Sequence, residues 1–113
     1  MKPERSQASV CSEYGAEFLS SPPESKVGIA LATLNLLPLN ALRIPPEGNT
    51  CGWYIWGGEV MSEHDDFFQP LHAHHLQERC PAITPYLGLS PGWRVLLAPG
   101  QTEVWHDPQL LQK

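Results

Sequence analysis

The sequence has few cysteines and none of the paired cysteine motifs that mark a structural zinc site. Its three cysteines, Cys11, Cys51 and Cys80, are widely spaced and odd in number. This pattern argues against a disulfide framework and is typical of reduced thiols, so we expect a cytoplasmic protein. The first residues also lack the apolar segment of a secretory signal, which agrees with that expectation.

Long apolar runs and basic residues are scarce as well. The longest apolar run, residues 27–39, is interrupted by a glycine, a proline and two polar residues, and it is shorter than the ~18 residues that span a bilayer. Seven Lys and Arg stand against 12 Asp and Glu, for a net charge of −5. Nucleic-acid binders depend on Lys and Arg at phosphates, so we expect neither a nucleic-acid nor a membrane partner.

The acidic residues are unevenly placed. Between Ile44 and Glu78 the chain contains six acidic residues and no Lys or Arg. A surface of this kind would steer a basic partner toward the protein. A solvated face that only aids solubility is the simpler interpretation of the same residues. The six are Glu47, Glu59, Glu63, Asp65, Asp66 and Glu78.

Prolines and glycines, 12 and nine in number, indicate short elements joined by turns. Residues 1–25 are polar and end in a Ser- and Pro-rich segment, so we predict a flexible N-terminal tail. An alternative that stays open is one helical turn, containing Tyr14, Phe18 and Leu19, that docks on the domain. Residues 26–113 are predicted to form one α+β domain, which is the size expected for a modest core.

Five segments have the residue pattern of β-strands: 27–31, 39–44, 53–56, 93–98 and 103–106. The last two are separated by a Pro-Gly turn and are predicted to form a hairpin. Residues 53–56 carry large side chains on both faces, which predicts a central strand. We therefore expect a small, mainly antiparallel sheet of about four to five strands.

Two helices are predicted to pack on this sheet. The main one runs from about 70 to 79, since Pro70 suits a first helical turn and Pro81 disfavours helical geometry in the residue before it. On this helix His72 and His75 share the apolar face, whereas His74 points away. A short second helix is predicted over about 82–87, with Gly88 supplying a positive φ at its C-terminus.

His72 and His75 are the only pair spaced to ligate one metal ion from a helix. No third ligand is placed nearby by the sequence, so we predict no metal and keep a metalloprotein that uses these two histidines as an alternative. Cys80 follows a predicted helix C-terminus, where the dipole disfavours a thiolate. We accordingly predict no catalytic residue and no cofactor.

A string of short motifs over residues 46–107 resembles one known family. It includes Gly52-Trp53-Tyr54-Ile55-Trp56-Gly57-Gly58-Glu59 and Pro91-Gly92-Trp93-Arg94-Val95-Leu96, with further pieces at 46–48, 67–76, 86–89 and 103–107. Together they are similar to the immunity proteins of the thirty-third family of bacterial polymorphic toxin systems, long known as a domain of unknown function. The resemblance covers about residues 26–112 and leaves out the tail.

The resemblance implies a non-enzymatic cytoplasmic α+β protein that binds and neutralises a cognate secreted toxin by occluding its active surface. A basic toxin would complement the acidic stretch, and exposed aromatic side chains flanked by acids would anchor it. A small regulatory or ligand-binding module with a Trp-lined pocket is the second hypothesis. The predicted contact residues are Trp56, Glu59, Glu63, Asp65, Asp66 and Asp107.

Overall fold

The protein is described here from a computed structural model, which defines residues 6–60, 62, 64 and 66–111. The helices are α1 (Gln7–Tyr14) and the single turn α2 (Leu76–Arg79). The strands are β1 (Lys26–Ile29), β2 (Leu39–Arg43), β3 (Thr50–Gly57), β4 (Gln69–His72), β5 (Trp93–Ala98) and β6 (Gln101–His106). Short 3₁₀ segments cover Leu31–Thr33, Ala73–His75, Pro81–Tyr86 and Pro108–Leu111. The α+β class is confirmed.

The six strands form one mixed sheet in the order β4-β1-β3-β2-β5-β6. β1 and β3 are parallel, and the other four pairings are antiparallel. The predicted count of four to five strands is therefore too low by the edge strand β4. The β5–β6 hairpin is confirmed, with Trp93 opposite His106 and Ala98 opposite Gln101.

β3 is a central strand with a packed side chain layer on each face, as its sequence predicts. We call the face that carries Trp53 and Ile55 the front face and the face that carries Tyr54 and Trp56 the back face. The front face holds the larger core, to which the helical segments contribute Val10, Cys11, Leu76 and Ile83. The back face holds a smaller core in which Phe67, Phe68 and Leu110 pack around Trp56, Leu42 and Ala30.

The predicted main helix over 70–79 is wrong. Residues 69–72 instead form β4, because Val27 and Gly28 of β1 pair with Leu71 and Pro70. Pro70 is tolerated there since β4 is an edge strand, where a missing N–H need not break a ladder. Within residues 70–79, only Leu76–Arg79 is α-helical. Pairing with β1 thus makes residues 69–72 a strand, although the spacing of their side chains alone is compatible with a helix.

The predicted second helix over 82–87 is a 3₁₀ segment, Pro81–Tyr86. Gly88 follows it without a positive φ, contrary to the prediction. Its lack of a side chain serves packing instead, because a Cβ at this position would come within 2.6 Å of the Phe18 ring. Gly88 therefore admits the N-terminal segment, whose Phe18 pairs with Leu89 in an isolated antiparallel bridge.

The described residues of the N-terminal segment, 6–25, include the helix α1, which packs against the front-face core. Ser6 caps α1 by accepting a hydrogen bond from the Ser9 N–H at 3.0 Å, and Gly15 ends the helix with φ 74°. Val10 and Cys11 are buried against the 3₁₀ segment Pro81–Tyr86. These two apolar side chains dock α1 on the front-face core, although the segment is largely polar.

A buried arginine ties this segment to the sheet. Arg43 is 1% exposed and donates hydrogen bonds only to backbone carbonyls among the described residues. The acceptors are the oxygens of Leu19 (2.6 Å), Ser20 (3.1 Å), Cys51 (2.8 Å), Leu87 (3.3 Å) and Leu89 (2.9 Å). Burial lowers the pKa of Arg43, with the Cys51 and Cys11 thiols opposing that shift.

No helix in the described ranges has both the length and the apolar character needed to cross a membrane.

Candidate partner-binding surface

The loop after β3 leaves the sheet from a tightly built base. The Gly57 N–H donates to Thr33 Oγ1 at 3.1 Å, and the Gly58 N–H donates to the Pro38 oxygen at 2.9 Å. A Cβ at Gly57 would lie 1.9 Å from the Thr33 oxygen, so only glycine fits. Asn40 Nδ2 completes the base by donating to the Gly58 oxygen at 2.7 Å. The loop therefore starts from a fixed point and projects from one end of the sheet.

Two of the predicted acidic contact residues are exposed in this loop. Glu59 follows the base directly, and Asp66 precedes β4. Val60 beside Glu59 is 77% exposed. Glu63 and Asp65, also predicted contacts, lie outside the described residues. β3 and β4 are both paired to β1, with Ile55 and Gln69 opposite Ile29, so the loop begins and returns at the same end of the sheet.

The acidic stretch between Ile44 and Glu78 is not one patch in the fold. Glu47 precedes β3 and Glu59 follows it. An eight-residue strand spans about 23 Å from its first to its last Cα, so these two carboxylates lie at opposite ends of the sheet. Glu78 is exposed on α2, which covers the front face. Of the described acidic residues in this stretch, Glu59 and Asp66 belong to the loop after β3 and both are exposed.

Trp56, the predicted aromatic contact residue, is buried. It is 5% exposed and packs in the back-face core, where Phe68 meets its ring edge-on with centroids 6.2 Å apart. Its Nε1 has no hydrogen-bond partner among the described residues. The prediction that Trp56 is an exposed anchor is wrong, because alternation places it on a face that the Phe67-Phe68 turn and Leu110 cover.

Trp105, unlike Trp56, is exposed. It is 40% exposed on the edge strand β6. Trp105 lies opposite Arg94, and Arg94 lies opposite Leu42. Residues that lie directly opposite one another share a face of the sheet, so all three side chains are on the back face. The signal in the sequence is the chain position of β6, since the last strand of a terminal hairpin often forms a sheet edge.

Asp107 orients Arg94 rather than facing solvent alone. Its Oδ2 accepts a hydrogen bond from Arg94 Nη1 at 3.0 Å, and its Oδ1 accepts one from the Gln109 N–H at 3.1 Å. The guanidinium carbon of Arg94 lies 5.8 Å from the centre of the Trp105 ring. Arg94 therefore pairs with Asp107 and lies over the Trp105 ring.

The three cysteines are buried and form no disulfide. Burial raises the pKa of the Cys11 thiol, and the Arg43 guanidinium only partly opposes this. Burial also raises the pKa of the Cys80 thiol, against a hydrogen bond from the Ile83 backbone. A nucleophilic cysteine requires a lowered pKa and access to substrate, so neither Cys11 nor Cys80 meets the requirement.

A cavity does border the central tryptophan strand, as the ligand-binding hypothesis requires. It is lined by Trp53, Tyr54, Phe68 and parts of β1 and β4, and its volume is about 200 Å³. Pockets for small molecules usually measure roughly 300–1,000 Å³. A larger groove of about 450 Å³ lies between the N-terminal segment and the β2–β3 turn, but no tryptophan lines it. The Trp53-lined cavity is thus smaller than most small-molecule pockets.

The histidines are arranged differently from the prediction. His72 ends β4, and His74 and His75 belong to the 3₁₀ segment that follows. His74 does not point away, because its ring centroid lies 5.5 Å from that of His72 and 4.1 Å from that of His75. The sequence predicted a pair, and the turn after β4 produces a group of three.

The protein thus combines an α+β fold with two exposed acidic residues in the loop after β3, an exposed edge tryptophan and three buried thiols. The sequence matches the model of the Imm33-like domain over residues 6–107. The chain therefore belongs to the Imm33-like family, as its motifs suggested. The match begins at residue 6, so it includes the N-terminal segment that the resemblance left out. No curated protein and no solved structure matches the chain.

Proposed function

We propose that this chain is an immunity protein that binds a cognate bacterial protein toxin in the cytoplasm and blocks it by occupying its surface, without making or breaking bonds. Membership of the Imm33-like family is the observation that carries the proposal. The state of the thiols supports its non-enzymatic part, since burial keeps Cys11 and Cys80 protonated and inaccessible.

The contact surface we propose has two parts. One is the acidic loop after β3, with Glu59 and Asp66 exposed and Glu63 and Asp65 in the same loop. The other is the back-face edge at Trp105, beside Arg94. Strand spacing and rise put Trp105 roughly 17 Å from Gly57 at the base of the loop. A standard interface covers about 800 Å² per partner, or some 30 Å across, so one partner can cover both.

The two parts would do different work. Exposed carboxylates in the loop would attract a basic toxin and raise the rate of association. Trp105 would be the anchor, since a partly exposed indole offers a large apolar area with a polar edge and tryptophan is enriched among residues that dominate binding energy. Trp56 would act only by supporting the sheet, and Asp107 by holding Arg94 beside Trp105.

The test is binding to the toxin domain encoded next to the gene, with the purified chain as ligand and toxin activity as readout. The double variant Glu59→Lys, Asp66→Lys is expected to slow association at least tenfold at low salt. Glu78→Lys serves as its charge control because this exposed glutamate lies on the front-face helix α2. A control that slows association as much as the loop variant would contradict the assigned surface.

Trp105→Ala tests the anchor, with an expected tenfold or greater rise in the dissociation rate. Phe18→Ala is the aromatic control, since Phe18 is 53% exposed but belongs to the N-terminal segment near Leu89. If the unmodified chain neither binds nor protects against the linked toxin, the proposed function is wrong. If it binds and these variants bind equally well, only the proposed surface is wrong.

A further inference from the structure

Three imidazoles meet at the end of the edge strand β4, a position that the proposed toxin-binding surface does not use. His72, His74 and His75 each offer one nitrogen, and these atoms all lie within 4.8 Å of one another. In a tetrahedral zinc site with bonds of about 2.0–2.1 Å, two nitrogen ligands stand about 3.4 Å apart. The nitrogens are therefore within about 1.4 Å of the separation that one ion requires.

Hydrogen bonds hold the backbone under this cluster in place, and two of the three rings are exposed. Ala73 is buried, and its N–H donates to the Ser25 oxygen at 2.8 Å. The His74 N–H donates to the Pro23 oxygen at 3.1 Å, and His72 is paired with Lys26 of β1. His72 and His74 are exposed and His75 is half-buried. Side chain rotation alone can therefore close the remaining gap.

We propose that His72, His74 and His75 bind one Zn²⁺ ion, with water completing the coordination. Neutral imidazole is a preferred ligand for zinc, and three histidines with one open position form a recognised zinc arrangement. The neighbouring Lys26 ammonium opposes a cation here and weakens the site. An exposed site without acidic ligands is expected to bind more weakly than a buried structural zinc site. The proposal is independent of toxin binding.

The experiment is calorimetric titration of the untagged, metal-free chain with Zn²⁺. One ion per chain is expected, and His74→Ala is expected to weaken binding at least tenfold. His64→Ala is the matched control, because His64 is an exposed histidine outside the cluster. Circular dichroism of each variant establishes that it is folded.

Imidazole NMR resonances identify the ligands directly. Zinc is expected to shift those of His72, His74 and His75 and to leave those of His64 and His106 in place. The proposal is overturned if no saturable binding occurs below 1 mM Zn²⁺, or if His74→Ala binds as tightly as the unmodified chain. It is overturned equally if His64→Ala weakens binding as much as His74→Ala, or if the shifted resonances belong to His64 or His106.

Discussion

Replacing Arg43 by Met is expected to lower the free energy of unfolding by about 3 kcal/mol. The change keeps an unbranched side chain but removes all the guanidinium N–H groups that donate to the five surrounding carbonyls. Leu19 and Ser20 are exposed, and their oxygens can take up water. The oxygens of the buried residues Cys51 and Leu89 cannot do so easily, and each unsatisfied buried carbonyl costs about 1–3 kcal/mol.

The loss is smaller than the sum of these terms because the variant no longer buries a positive charge, which itself costs several kcal/mol. Urea unfolding followed by tryptophan fluorescence measures the difference, and hydrogen exchange should show faster opening of the N-terminal segment. Arg94→Met is the matched control. Arg94 is partly exposed in a surface ion pair with Asp107, so its loss should be about 1 kcal/mol or less.

Equal losses for the two arginine variants would refute this reasoning, as would a loss below about 1 kcal/mol for Arg43→Met. In either case the carbonyls around Arg43 would be satisfied in some other way, and the N-terminal segment would not depend on the guanidinium for its place in the fold.

Three further predictions concern packing, thiol ionisation and the exposed tryptophan. Gly57→Ala should destabilise the fold by about 3 kcal/mol, because its Cβ would meet a backbone oxygen. Gly88→Ala should cost about 1 kcal/mol, because the Phe18 ring can move. Urea unfolding that ranks the two variants in the reverse order would contradict the packing argument. Burial raises the pKa of the Cys80 thiol in the folded protein, whereas the unfolded chain releases this proton above about pH 8.5. Because the folded state then binds the proton more tightly, the free energy of unfolding should fall as pH rises beyond that value. Cys80→Ala should make this fall shallower between pH 8 and 10, and an unchanged slope would contradict the assignment. Trp105→Ala should change stability by less than about 1 kcal/mol, since its ring is partly exposed; a larger loss on urea unfolding would show a core role.

The sequence was most informative where periodicity and turn chemistry agree. Residues 53–56 carry β-favouring side chains between glycines, and they form part of the central strand β3. The Pro-Gly turn likewise predicts the β5–β6 hairpin. In both places local preference and sheet pairing favour the same conformation, so tertiary structure changes nothing.

The prediction failed where a distant segment decides the local structure. Residues 69–72 have acceptable helical spacing but are strand because β1 pairs with them. Residues 7–14 read as polar, yet Val10 and Cys11 dock α1 on the front core. The same holds for the candidate contact residues. The exposure of Glu59 was predictable from its loop. The burial of Trp56 depends on what covers the back face, and the exposure of Trp105 depends on which strand lies at the edge.

The most direct measurement of the central claim is titration of the linked toxin's activity with the purified chain. A protein that acts by occupying the toxin surface should abolish the activity at one chain per toxin, and the toxin should regain full activity when the complex is dissociated. Undiminished toxin activity in the presence of a tenfold excess of the chain would contradict the claim, and so would a toxin left chemically altered after separation.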